Sequence, residues 1–133
     1  MRWRSIVLGT CGALLASVVV VQAHHATAAE YDGTKPVTLR GTVTRVEWVN
    51  PHAWIYLDVP GPDGTVVKWQ IQGGSPNVLM RRGLKLAALK VGAMLVVEGA
   101  RARDGSAKIN GRRVTLPDGR TLFVDTDTPP PPR

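Results

Sequence analysis

Three histidines, His24, His25 and His52, are the side chains of this sequence best suited to hold a transition metal. Imidazole nitrogen favours copper among the divalent ions, and a chain that begins with histidine adds its α-amine to the same ion. His24 and His25 are adjacent, so folding their segment back onto His52 would bring three ring nitrogens together. No methionine-rich stretch, cysteine pair or His-Glu-x-x-His pattern accompanies them, and copper is the one cofactor offered. The plainer alternative is that the pair are solvated polar residues beside a processing site.

A second set of candidates carries aromatic faces. Glu47, Trp48, Asn50, His52, Trp54 and Tyr56 crowd into one short block, with Lys68 further along. Trp54 and Tyr56 offer flat apolar surfaces for a sugar ring or a base, and Lys68, Gln70 and Gln72 offer hydrogen-bond donors. The competing expectation covers both rings with a loop or the C-terminal tail, because aromatic residues on strands usually pack.

Gly73-Gly74-Ser75-Pro76-Asn77, with Arg81 and Arg82, has the composition of an anion cradle at a helix start. Ser75 serves more simply as a cap, and Pro76 lacks an N–H, so a structural role is expected. Catalysis is not expected. Ser75, His52 and Asp58 have no spacing that demands a triad, and Glu47 is expected to face Arg45 or solvent.

These side chains need strands to position them. Residues 37–124 alternate like short strands separated by turns, and are expected to form the folded domain. In Val37 to Val49, residues Val37, Leu39 and Val43 share one face, whereas Val46 and Trp48 have the opposite phase. A bulge or sharp bend near Thr44-Arg45 must reconcile them. His52 to Val59 is two-faced, with Ala53, Ile55, Leu57 and Val59 inward and His52, Trp54, Tyr56 and Asp58 outward. Pro60 to Gly64 turns the chain into Thr65 to Gln72, with Val67, Trp69 and Ile71 inward. Ser75 and Pro76 open a helix that Gly83 stops, and Leu84 to Val91 suits another helical turn. Met94 to Arg101 and Ile109 to Leu116 follow as strands, with a bulge expected at Gly111, and Thr121 to Val124 suits a short final strand. The expected fold is mainly β, an OB-like five-stranded Greek-key barrel with one helix between strands three and four.

Flanking segments suggest a compartment. Arg2 and Arg4 precede the uncharged run Ile6 to Val21, and Val21-Gln22-Ala23 carries small residues where a signal is cut. Residues 1–23 are therefore expected to be a cleaved signal peptide, and the protein periplasmic or secreted. The run is shorter than the ~20 residues a spanning helix needs, so no integral membrane protein is expected. A cut after Ala28 instead of Ala23 would discard both histidines. Residues 24–36 read as a flexible lead-in and residues 125–133, with four consecutive prolines, as an extended tail. The only cysteine, Cys11, leaves with the signal. Losing Arg2 and Arg4 lowers the net charge from +7 to +5, which suits anionic lipid or polysaccharide; export makes nucleic acid the least expected partner.

Several motifs resemble an uncharacterised family of small exported bacterial proteins. They are His24-His25-Ala26, Gly41-Thr42-Val43, Glu47-Trp48, Asn50-Pro51-His52 with Trp54, Gly74-Ser75-Pro76-Asn77 and Leu116-Pro117-Asp118-Gly119-Arg120. Ala26 stands where that family usually has serine, and Leu84 where it commonly has tryptophan. The resemblance implies export and a small β-barrel domain but no activity. The expectation is thus an exported, non-enzymatic binding module. Its partner is a metal ion, a sugar or anionic envelope component, or another protein that docks on its exposed strands.

Overall fold

Strict alternation makes the second strand the simplest element to explain. Ala53, Ile55 and Leu57 are buried, and their neighbours Trp54, Tyr56 and Asp58 stay half-buried on the opposite face. The computed structural model of the protein describes residues 26–125, apart from the Phe123 side chain. The predicted signal peptide, His24, His25 and residues 126–133 lie outside the described residues. The chain divides into two compact units between Glu30 and Tyr31. In the first, residues 26–30 are helical.

The second unit runs β1 (Tyr31–Glu47), β2 (Trp54–Pro60), β3 (Val66–Gln72), α1 (Pro76–Arg81), a 3-10 turn (Leu86–Ala88), β4 (Met94–Ala102), β5 (Lys108–Thr115) and β6 (Thr121–Phe123). These form a sheet in the order β3-β2-β1-β4-β5-β6, and β3 also pairs with β5, which closes a ring of hydrogen bonds over five strands. Every pairing is antiparallel except β3–β5, where Gln70, Ile71 and Gln72 run parallel to Lys108, Ile109 and Asn110. Among the described residues there are six strands, where a five-stranded barrel followed by a short final strand was expected. The sixth is the short β6, attached to β5 outside the ring.

The interior holds Leu39, Val43, Ile55, Leu57, Trp69, Ile71, Leu95, Val97, Ile109 and Val114 from the strands. Leu79, Leu84 and Leu89 from the helical connection join the same core. Full burial of one such aliphatic side chain contributes roughly 2 kcal/mol, which makes the apolar face of each strand its address in the fold. Val67, expected inward, is 41% exposed because β3 meets β5 only over its last three residues.

Three irregularities shape the sheet, and the first shifts the β1–β4 register between Asp32 and Pro36. Val43 pairs with Leu57 but Arg45 with Tyr56, so Thr44 is an extra residue on β1, as the change of phase requires. Val46 and Trp48 thereby reach the core, and Arg45 and Glu47 turn to the outer face. On β5, Glu98 pairs with Arg113 and Gly99 with Gly111, which leaves Arg112 extra, one residue from the expected bulge at Gly111. The helix begins as predicted, with the Ser75 hydroxyl accepting from Val78 N–H at 3.4 Å and Pro76 at its first position.

Both ends of the folded unit extend past the expected boundaries. β1 starts at Tyr31 instead of Val37, because Tyr31 and Asp32 pair with Ala102 and Arg101. Tyr31 is 3% exposed and clusters with Ala100 and Ala102, contacts that a short-range reading of a small polar segment does not reveal. At the other end Asp125, assigned to the tail, is buried and ion-paired with Arg82.

Candidate functional site

The bulge at Thr44 and the closure of β3 on β5 together build one aromatic face. Register aligns Arg45, Tyr56, Gln70 and Lys108 in a row across β1, β2, β3 and β5. A second row aligns Glu47, Trp54, Gln72 and Asn110. Directly opposed residues on one face of a sheet lie within contact distance, so each row is a set of neighbours.

Cations sit over the rings. The Arg45 guanidinium carbon lies 3.9 Å from the Tyr56 ring centroid, and the Lys108 ammonium lies 6.0 Å from that of Trp54 and 5.7 Å from that of Tyr31. Glu47 pairs with Arg45 at 2.8 Å, the arrangement expected for it. Burial pushes the Tyr56 phenol above its ordinary range, the nearby Glu47 carboxylate adds to this, and Arg45 opposes it. Tyr56 is therefore a neutral hydrogen-bonding group at physiological pH.

The remaining predicted residues divide between this face and the core. Trp54 and Tyr56 are each half-buried, neither fully open nor entombed. Lys68 is exposed at the end of the face and contacts Asp58 at 3.1 Å. Trp48 is half-buried and packs against the core from the other side of the sheet. Asn50 is exposed, before a cis bond to Pro51. Gln72, expected outward and accessible, is buried, because Tyr31 lies against it and donates its hydroxyl to Oε1 at 2.6 Å.

His52 is half-buried, with Nδ1 3.2 Å from the Gly73 carbonyl oxygen. A carbonyl only accepts, so Nδ1 carries the proton there, and in the neutral ring Nε2 keeps its lone pair. Among the described residues no group of three or more His, Cys, Asp and Glu side chains is placed to hold a metal ion. Also among the described residues, no helix is long and apolar enough to cross a membrane. The glycine segment before α1 is occupied structurally: Gly73 donates to the Ala53 carbonyl and Gly74 to that of Val124.

Sequence reading missed Lys108 and Tyr31 as members of this face. Lys108 arrives through the parallel β3–β5 pairing, whose register has no local signal. Tyr31 was visible only as an aromatic residue in an otherwise small, polar segment.

Fold and face together define a mainly β domain that presents one aromatic, cation-flanked side of its sheet. The chain belongs to a family of unknown function, DUF6152, whose family model matches residues 13–111. That span includes every residue of the two rows. No curated protein and no solved structure matches the chain.

Proposed function

We propose that this protein is an exported, non-enzymatic binding module of the OB-like Greek-key type, which takes a sugar ring or anionic envelope polymer on the Trp54–Tyr56 face. The OB-like reading is supported by the ring order β1-β2-β3-β5-β4, the parallel β3–β5 contact and the helix between β3 and β4. The single observation behind the ligand class is the pair of half-exposed rings bordered by Arg45, Lys68 and Lys108. A flat sugar face stacks on an aromatic ring, and carboxylates or phosphates on the same polymer meet the cations.

Titration with acidic envelope polysaccharide fragments is expected to quench tryptophan fluorescence saturably. Stacking on one ring contributes roughly 1–3 kcal/mol, so Trp54→Ala should weaken binding by about tenfold or more. Unchanged binding in Trp54→Ala would remove this reading.

Copper remains a second reading, and one observation favours it. Histidines that ligate metals usually donate their other ring N–H to a carbonyl or carboxylate, as His52 does to Gly73. If cleavage after Ala23 exposes His24, calorimetry of the mature chain with copper should give a one-site isotherm. His52→Ala should weaken it, and a copper isotherm identical in His52→Ala would exclude His52 as a ligand.

A further inference from the structure

A cleft of about 390 Å³ opens beside the β4–β5 turn, lined by Asp32, Lys35, Arg101, Ala102, Arg103 and Gly105. It shares no residue with the aromatic face. Its charged lining comprises three cations and one carboxylate, an excess of two positive charges around a concave surface.

The arrangement is ordered from its centre. Asp32 Oδ1 accepts the Thr34 amide at 3.1 Å and the Thr34 hydroxyl at 2.7 Å, which fixes the carboxylate. Its other oxygen, Oδ2, faces Lys35 Nζ at 3.8 Å and Arg103 Nη1 at 3.7 Å, both longer than a direct hydrogen bond. Arg101 donates to the Gly105 carbonyl at 3.1 Å, and its guanidinium carbon lies 5.3 Å from the Trp69 ring centroid. Arg101 is thus placed by a backbone carbonyl and an aromatic ring, and Lys35 and Arg103 converge on a single oxygen of Asp32. The same Thr34 contacts, and after them Arg103 and Lys35, hold the Asp32 carboxyl below its usual range, so it stays ionised near neutral pH.

We infer that this cleft is a binding site for a phosphate group, whose negative charge complements the local excess and whose oxygens suit two arginine forks and one ammonium. Arginine presents fixed pairs of N–H donors that fit phosphate oxygens, and lysine adds a point charge. The phosphate could be inorganic or part of a lipid headgroup, and two arms of one experiment distinguish these sources.

In the first arm, inorganic phosphate is titrated into the isotopically labelled full chain, and amide shifts of Thr34 and Gly105 are followed. In the second, flotation with phosphatidylglycerol vesicles is compared with flotation with phosphatidylcholine vesicles. The test variant combines Lys35→Gln and Arg103→Gln, two exposed side chains whose loss leaves the core untouched. The control is Arg113→Gln, which removes a cation that faces Glu98 elsewhere on the surface. Saturable shifts at Thr34 and Gly105, weakened roughly tenfold in the double variant and less than about twofold in Arg113→Gln, support the site. Selective flotation with phosphatidylglycerol and the same variant pattern identifies a lipid source, and saturation without flotation identifies a free phosphate. Absence of both responses, or equal weakening by Arg113→Gln, overturns the inference. Trp54→Ala should leave both arms unchanged, so failure of the polysaccharide reading is separable from failure here.

Discussion

Gly99→Ala is expected to be strongly destabilising. A Cβ at this position would lie 2.2 Å from the Asn110 carbonyl oxygen and 3.1 Å from the Gly111 Cα. Both are backbone atoms, so no rotamer change can make room, and β4 must separate from β5 where Gly99 opposes Gly111. That separation also disturbs Gly111, which packs against Ile71 and helps close the ring onto β3. The combined strain and lost ladder bonds should cost about 3 kcal/mol or more, a large part of the roughly 5–15 kcal/mol of a typical domain. Urea titration followed by tryptophan fluorescence measures it. Gly73→Ala is the matched control, since its Cβ would find its nearest neighbour, the Val124 carbonyl oxygen, at 3.5 Å, an ordinary contact. Equal midpoints for Gly99→Ala and the unmodified chain would mean that the two strands do not approach this closely.

Arg82→Ala should be nearly as damaging, for an electrostatic reason. Arg82 Nη1 lies 3.2 Å from Asp125 Oδ1 and also donates to the Asp125 carbonyl oxygen. The two side chains are only 16% and 5% exposed. Taking the guanidinium from a carboxylate this deeply placed typically costs about 3–5 kcal/mol, because the charge keeps its desolvation penalty and loses its main compensation. The pair fastens the segment after β6 to the end of α1, so its loss should also loosen the Gly74 to Val124 hydrogen bond. Replacing both partners together, Arg82→Met with Asp125→Leu, removes the penalty with the attraction and should recover most of the stability. Thermal melts of the three variants decide the matter. A melting point for Arg82→Ala within a degree or so of the unmodified chain would show that the pair contributes no more than an exposed one.

How much of this was legible in the sequence follows from the range of the signals involved. Alternation in Ala53–Val59, the phase change around Thr44 and the Ser75-Pro76 helix start depend on neighbours within a few positions, and each is where the pattern puts it. The short β6, Thr121–Phe123, likewise falls within the final strand expected over Thr121 to Val124. The aromatic face was half readable. Trp54 and Tyr56 follow from period two along β2, whereas Arg45 is suggested only as a partner for Glu47 and not as part of the face. Tyr31 and Gln72 meet across 41 positions, and Lys108 depends on a parallel register, so no local pattern could bring them to the site. Trp48 parts from that face for a local reason. The bulge that sends Glu47 outward sends its neighbour into the core, and the two cannot both serve one surface.

One extra residue therefore governs the meaning of every position along β1. From Val37 to Val43 the odd-numbered residues serve the interior; past Thr44 the parity inverts, and odd numbers address whatever the protein meets outside. Removing Thr44 would leave Arg45 opposite Tyr56 and Val46 opposite Ile55, so each face would keep its side chains and only the bulge would be lost. What the extra residue supplies is curvature, in the strand that pairs with β2 on one side and β4 on the other.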